Sequence, residues 1–322
     1  MFENKFNFDL TYYNSTLRNQ FLYVTTANGE SKPVNTGVIR NYGLEFQAAY
    51  RWNINRDWRW ETGFNIAWND NRILETYKTE TGAPYEVQMG PNAFKIKYVE
   101  GGRYGDIYVN SFARDENGYI KVNDEGDYAN AVPVMTSGKY ETYVGNMTSP
   151  INFGWNNTFT WKNLSLYFLL EGRIGGKVMS LTEADYDLYG LSERSAQDRL
   201  NGERVMQNGK EYVLKELPDG SGRKVSVENY YMTIGAFPME DHVYDATSVR
   251  MRDISLSYDM PNLFGKRQGM TVQFSVKNAF FIYKNSPVDP DISVSAANGY
   301  SGIDCYTLPT TRSFALTLKF DL

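Results

Sequence analysis

Along most of this chain, apolar and polar residues alternate with a period of two. Near the C-terminal end Phe314, Leu316, Leu318, Phe320 and Leu322 fall on one phase, and Ser313, Ala315, Thr317, Lys319 and Asp321 on the other. Successive side chains of a β-strand point to opposite faces, so this segment reads as a strand with one apolar and one polar face. The pattern recurs upstream. Phe6, Phe8, Leu10 and Tyr12 oppose Asn7, Asp9 and Thr11. Leu44, Phe46, Ala48, Tyr50, Trp52 and Ile54 oppose Glu45, Gln47, Ala49, Arg51 and Asn53. Trp58, Trp60, Phe64, Ile66 and Trp68 oppose Arg59, Glu61, Gly63 and Asn65. Further runs of this kind begin at Ile151, Leu164 and Met270. Two runs are less regular. Leu17 to Thr26 fits a strand with Phe21 and Tyr23 on its apolar phase. Ile254, Leu256, Tyr258 and Met260 share a phase that Val249 and Met251 leave, which predicts a β-bulge near Arg252. The pattern predicts about nine strands, each of roughly 9–13 residues.

The apolar phases carry no charged residue, whereas the opposite phases hold Asp9, Glu45, Arg51, Glu171, Arg173, Lys277 and Lys319. A soluble antiparallel sandwich also wets one face and buries the other. Ordinary strands are about 5–6 residues long, however, and transmembrane strands about 9–11. The connections favour the membrane. They alternate between short and long: Asn14-Ser15-Thr16 is short and about Ala27 to Ile39 longer, Asn55-Arg56-Asp57 is short and Ile73 to about Asn146 very long. Lys162-Asn163 is a tight turn and Gly175 to Ala246 very long; Asn262 to Gly269 is short and Lys284 to Thr311 long. Membrane barrels have short periplasmic turns and long extracellular loops. The expected fold class is therefore all-β, an antiparallel transmembrane β-barrel segment whose last strand runs inward and leaves the C-terminus in the periplasm.

Composition narrows the function. The 322 residues include 33 Lys+Arg and 38 Asp+Glu, a net charge of -5, which lacks the basic footprint of a nucleic-acid binder. The 25 Tyr and 18 Phe suit water–lipid boundaries, where a ring is buried and a hydroxyl stays wet. No run of 18 apolar residues predicts a transmembrane helix. Cys305 and His242 are the single residues of their kinds, too few for a Cys/His metal site or a conventional catalytic triad. His242 falls in a long connection and is expected to be solvent-exposed, so no catalytic residue, cofactor or metal is assigned. Met1-Phe2-Glu3-Asn4-Lys5 is not a signal peptide and runs straight into strand sequence, which leads us to expect an N-terminal portion outside this chain.

Several segments resemble the SusC/RagA family of TonB-dependent transporters. Asn41-Tyr42-Gly43-Leu44-Glu45 resembles its "N-x-G-[IL]-E" strand start, followed by a turn and Trp60-Glu61-Thr62-Gly63-Phe64-Asn65. Val144-Gly145-Asn146, Pro150 and Phe153-Gly154-Trp155-Asn156-Asn157-Thr158-Phe159 resemble "IGNPxPxFxFGxNNTF"; here Met147 replaces the family's first proline. Ser275-Val276-Lys277-Asn278-Ala279-Phe280 is similar to "SxxNLF". Asp289-Pro290-Asp291, Gly302-Ile303-Asp304, Leu308-Pro309 and Arg312-Ser313-Phe314 follow the closing "DPE … GID … YPxxR[TS]F" order. The family's calcium-loop-like "DxNGDG" is replaced by Asp115-Glu116-Asn117-Gly118 and Asn123-Asp124-Glu125-Gly126-Asp127, which lack regular ligand spacing and read as a solvated acidic loop.

The resemblance implies that residues 1–322 are the C-terminal part of a barrel of about 22 strands, with the plug domain and signal peptide absent from this chain. It implies an importer of large nutrients, oligosaccharides or peptides, in the outer membrane of a Gram-negative bacterium. The implied partners are a SusD-like surface lipoprotein, the TonB complex acting through the missing plug, outer-membrane lipid and the barrel-assembly machinery. The alternative is a soluble β-rich glycan-binding module. Loop aromatics Tyr230, Tyr231, Tyr300 and Tyr306 are the candidates for substrate or lipoprotein contact. Trp58, Trp68 and Trp161 are the expected membrane girdle, and Phe320 and Leu322 the expected assembly signal.

Overall fold

The structure is a computed structural model that describes residues 5–25, 31–35, 37–79, 82, 87–89, 94–136, 140–236, 240–261, 269–293 and 302–321. Eight long strands form one antiparallel sheet: β1 (Phe6–Arg18), β2 (Val38–Asn53), β3 (Trp58–Glu75), β4 (Ile151–Trp161), β5 (Leu164–Ile174), β6 (Ser248–Met260), β7 (Gly269–Lys284) and β8 (Ser313–Asp321). They pair in chain order, each with the next. Among the described residues β1 and β8 have no further neighbour, so the sheet is an open segment of barrel wall.

Register keeps the two faces chemically distinct. One row across the strands reads Phe8, Ala48, Phe64, Trp155 and Leu170. A row on the other face reads Thr11, Glu45, Ala67, Asn152 and Arg173. A one-residue slip between strands would exchange the faces, so the pattern itself sets the pairing. Between the levels of Trp58 and Trp68 two polar residues, Thr62 and Asn157, interrupt the apolar face, and neighbouring indoles engage both. Trp60 Nε1 donates to Asn157 Oδ1 at 3.0 Å, and Trp155 Nε1 donates to Thr62 Oγ1 at 2.9 Å.

The bulge lies where the sequence places it. Leu169 pairs with Asp253 and Leu170 with Met251, leaving Arg252 as the extra residue. The bulge returns Met251 and Val249 to the apolar rows and turns both Arg250 and Arg252 toward the polar face, where their ion-pair partners lie.

One strand of the sequence reading is reassigned. Leu17 to Thr26 is not a separate wall strand: Asn14, Ser15 and Thr16 pair with Tyr42, Asn41 and Arg40 inside a continuous β1. Phe21–Thr25 instead forms a small hairpin with Ser31–Asn35. The polar Asn-Ser-Thr run resembles a turn because β1 has left the apolar band there, and a strand with water on both faces needs no apolar phase. The wall therefore has eight strands among the described residues. The alternation survives: connections 54–57, 162–163 and 261–268 are short, and 76–150, 175–247 and 285–312 are long.

The buried cores lie in the long connections. Phe112, Ile120, Leu217, Val225, Tyr230 and Ile234 form one cluster, joining connections 76–150 and 175–247. Phe94, Ile96, Ile107, Val109, Met179 and Ile303 form a second, joining all three. Among the described residues three α-helices belong to this cap: α1 (Leu181–Leu188), α2 (Glu193–Asn201) and α3 (Val227–Ala236). Ser180 caps α1 by accepting from the Glu183 N–H, and its Oγ donates to Asp304 Oδ2 at 2.7 Å. Ile303–Asp304 runs parallel to Met179–Ser180, so the Gly-Ile-Asp motif ties the last loop into the cap.

Gly43 shows why the β2 motif needs glycine. A Cβ there would lie 2.6 Å from the Tyr13 hydroxyl and 2.5 Å from the Trp68 carbonyl oxygen. The Tyr13 ring crosses this gap, and its hydroxyl donates to Asn69 Oδ1. Gly43→Val is expected to destabilise the wall by about 1–3 kcal/mol through overpacking. The temperature at which the assembled barrel loses its compact migration in a detergent gel measures this, and an unchanged temperature would refute the packing account.

Candidate functional site

The most developed polar site lies on the charged face of the wall, where the last long loop crosses it. β5 contributes Glu171 and Arg173, alternating strand residues that share a face. The bulge on β6 adds Arg250 and Arg252. The loop contributes Asp289 and Asp291, separated by a proline that fixes the local backbone. Arg250 Nη2 lies 2.6 Å from Asp289 Oδ1, with both side chains only 5% exposed. The Arg250 guanidinium also lies over the Phe281 ring, 4.0 Å from its centroid. Asp291 is met by Arg173, by Arg250 at 3.0 Å and by Arg252 at 3.3 Å. Arg252 Nε pairs with Glu171 at 2.7 Å. Three cations thus face three carboxylates, and the cluster is neutral.

A cavity of about 440 Å³ opens beside this network, bordered by Asn65, Asn152, Glu171, Arg173, Arg252 and Asp291. Its lining offers amide and guanidinium donors and carboxylate acceptors to a polar ligand. A second cavity of about 620 Å³ lies between the loop, β7 and α1, with Tyr186, Phe281, Lys284 and Tyr306 among its walls.

The cap holds a different buried cluster. Asp187 and His242 are fully buried, with His242 Nε2 at 2.8 Å from Asp187 Oδ2 and 2.8 Å from Arg194 Nη2. Ser192 Oγ donates to Asp187 Oδ1 at 2.5 Å. Burial pushes the Asp187 carboxyl up, but hydrogen bonds from His242, Arg194 and Ser192 outweigh it and hold the group below its usual range. The expectation of an exposed His242 is corrected: α1, α2 and the turn before residue 243 enclose it. Ser192 and His242 both contact the carboxylate, and the Ser192 hydroxyl donates its hydrogen bond to Asp187. A nucleophile needs its base within hydrogen-bond reach, and here the serine is bonded to the acid instead.

The other expected residues divide. Tyr230 and Tyr231 are not exposed contacts but 3% and 4% exposed core residues of α3. Their ring areas are worth more inside the cap than in water, and Tyr231 donates to Asp198 Oδ2 at 2.6 Å. Burial raises both hydroxyls above the ordinary tyrosine value. Tyr306 is exposed, yet held by its N–H to Thr182 Oγ1 at 2.7 Å and its hydroxyl to Asp185 Oδ2 at 2.9 Å. Tyr300 and Leu322 lie outside the described residues. Trp58 and Trp161 face each other across β3 and β4 with rings 5.9 Å apart, and Trp68 meets Tyr42 edge-on at 5.7 Å. All three tryptophans are exposed on the apolar face, as is Phe320 opposite Met270.

The arginine network was not anticipated as a site. Its signals were present: two aspartates around a proline, and a bulge that turns two arginines to one face. Their meeting depends on a loop fold that periodicity does not describe.

No family model matches the chain. It is 22% identical over 351 residues to TonB-dependent receptor P3 of Formosa agariphila, covering 99% of this chain and 32% of that protein. It is 24% identical over 299 residues to TonB-dependent receptor SusC of Bacteroides thetaiotaomicron, covering 88% of this chain and 26% of that one. Its fold matches the RagAB peptide transporter with a TM-score of 0.66 at 16% identity, over 98% of this chain and 33% of the other. The open-open state of the RagAB peptide importer matches with a TM-score of 0.63 at 18% identity over the same shares. The resemblance to SusC/RagA proteins therefore holds, and the fold is a segment of their kind of barrel. The chain spans a third or less of the length of these proteins.

Asp289 makes the network responsive to acid. Burial raises its carboxyl, but hydrogen bonds from Thr310 and the Asp291 N–H, with the Arg250 charge, lower it further. A depressed carboxyl stabilises the fold above its unfolded value near about 4, and that contribution is lost as pH falls through the lower folded value. Amide exchange in residues 285–293 of the intact barrel is expected to accelerate below about pH 4. In Asp289→Asn that acid step should vanish; if it persists, another group carries it.

Proposed function

We propose that this chain, a relative of TonB-dependent receptors, forms the C-terminal barrel wall and outer cap of an outer-membrane importer of large nutrients. The carrying observation is the apolar band. Trp58 and Trp68 lie ten positions apart on β3, about 33 Å at 3.3 Å per residue. At a tilt of about 40° this becomes roughly 25 Å, the height of a lipid-facing barrel band. Beyond Trp68 the same phase reads Asp70 and Arg72. The open edges support a wall completed by further strands, because lipid does not tolerate unpaired backbone groups.

On this reading the short turns face the periplasm, the C-terminus ends there, and the folded loops face outward. The plug and TonB contact belong to the rest of the importer. Phe320 and Leu322 serve as the signal for the barrel-assembly machinery. A SusD-like lipoprotein covers the cap, and an oligosaccharide or peptide passes beneath it. Tyr189, Leu191 and Leu200, each 71% exposed, and Tyr306 and Leu308 are exposed apolar side chains of the cap suited to such a partner. The named relatives are receptors and transporters, and we assign no catalysis. A soluble glycan-binding sandwich fits less well: Phe314, Leu316, Leu318 and Phe320 are at least 52% exposed, and no second sheet covers them among the described residues.

Adjacent residues on β7 separate these readings. Phe274→Lys, on the apolar face, is expected to cost roughly 2–4 kcal/mol and reduce the barrel recovered in membranes. Gln273→Lys, facing the lumen, should change stability by no more than about 0.5 kcal/mol. Equal effects, or a protein that stays monomeric without detergent, would remove the membrane reading. Replacing Tyr306 and Leu308 together with alanine should weaken retention of the lipoprotein on the purified importer, and unchanged retention would exclude this surface.

A further inference from the structure

Asp291 sits as a bound ligand's carboxylate would. Arg173 reaches one oxygen, and Arg250 and Arg252 reach the other at 3.0 and 3.3 Å. Three guanidiniums thus converge on the two oxygens, each through one nitrogen, and the charge-assisted contacts make the arrangement a built carboxylate receptor. Its members differ in how firmly they are held. Arg250 and Asp289 are buried together, and the Thr310 hydroxyl and N–H also bind Asp289. Arg173 and Arg252 are about one-third exposed and border the cavity of about 440 Å³. That cavity lies on β3 to β6, with wall strands on both sides, so the missing part of the barrel does not close over it as a neighbouring strand.

We propose that Asp291 is a tethered stand-in for cargo: it occupies a luminal carboxylate receptor made by Arg173 and Arg252, and a carboxylate on the cargo displaces it. This deepens the transport reading and rests on it. The exchange trades one carboxylate for another, so the cluster stays neutral. A neutral cargo lacks this route, because expelling Asp291 would leave a part-buried guanidinium charge unpaired. The tether holds Asp291 at an effective concentration in the millimolar range, so a simple monocarboxylate competes poorly. Cargo that also bonds Asn65 and Asn152 competes well. Asp289 stays anchored and acts as the pivot, while the Asp291 side chain swings out of the receptor. The shared ligand chemistry is a carboxylate, carried by an acidic sugar or by a peptide.

The test uses the full-length importer in nanodiscs and calorimetry with two matched probe pairs. One is a galacturonate oligomer and its methyl ester; the other is an N-acetylated peptide without charged side chains, with a free or an amidated C-terminus. Asp291→Asn should bind the carboxylated member of one pair about tenfold more tightly than wild type, with its neutral twin unchanged. The pair that responds identifies the carrier. Adding Arg173→Gln should abolish the gain, and Asp291→Glu should restore wild-type affinity. In wild type the carboxylated probe should also speed amide exchange at Asp291 and Ile292, whose N–H groups are held by Asp289, and leave residues 302–312 unchanged. An equal gain for both members of a pair, no gain in either pair, or a gain that survives Arg173→Gln would overturn the proposal. Failure of the transport reading shows separately, as wild-type protein that does not insert as a heat-resistant barrel.

Discussion

Backbone hydrogen bonding in a medium without water governs this structure. Each wall strand must pair along its full length, and the simplest solution is to pair with the next strand in the chain. The eight wall strands do so without a crossover. Once pairing is complete, the pleat divides every strand between two solvents. Phe314 to Phe320 then face one way, and Ser313 to Lys319 the other. At the two polar interruptions of the apolar band, indole N–H groups bond Thr62 Oγ1 and Asn157 Oδ1.

A wall of this kind builds no core of its own. The packed cores lie instead in the long connections, which fold together as a cap with helices, short sheets and two apolar clusters. Their cohesion crosses chain order. Met179 and Ile303 share a cluster although one follows β5 and the other precedes β8. The buried Asp187 cluster works in the same way, since removing one partner would leave a charge without water or counter-ion. The cap thus behaves like a small soluble domain threaded through the wall.

The arginine network joins the two parts. It draws on wall strands β5 and β6 and on the loop that returns the chain to β8. A bulge supplies the geometry, because it places Arg250 and Arg252 on one face where an unbroken strand would divide them from their luminal neighbours. Neutrality lets the cluster sit partly buried, and it leaves the loop held by charge pairs that a competing anion can address.

The sequence by itself determined the wall. Period two, uncharged apolar phases and alternating connection lengths identified the strands, their faces and the bulge at Arg252, because lipid and water select residues one position at a time. It misplaced one boundary, at Asn14-Ser15-Thr16, where both faces are wet and the selection disappears. The loops were another matter. Tyr230, Tyr231 and His242 looked exposed because polar and aromatic residues in a long connection carry no periodic signal. Their burial arises from contacts between segments a hundred residues apart, such as Tyr230 with Phe112. The same holds for the site: Asp289 and Asp291 could be read as a motif, but only the tertiary fold brought them to the arginines, because loop closure depends on packing and charge pairing between distant segments.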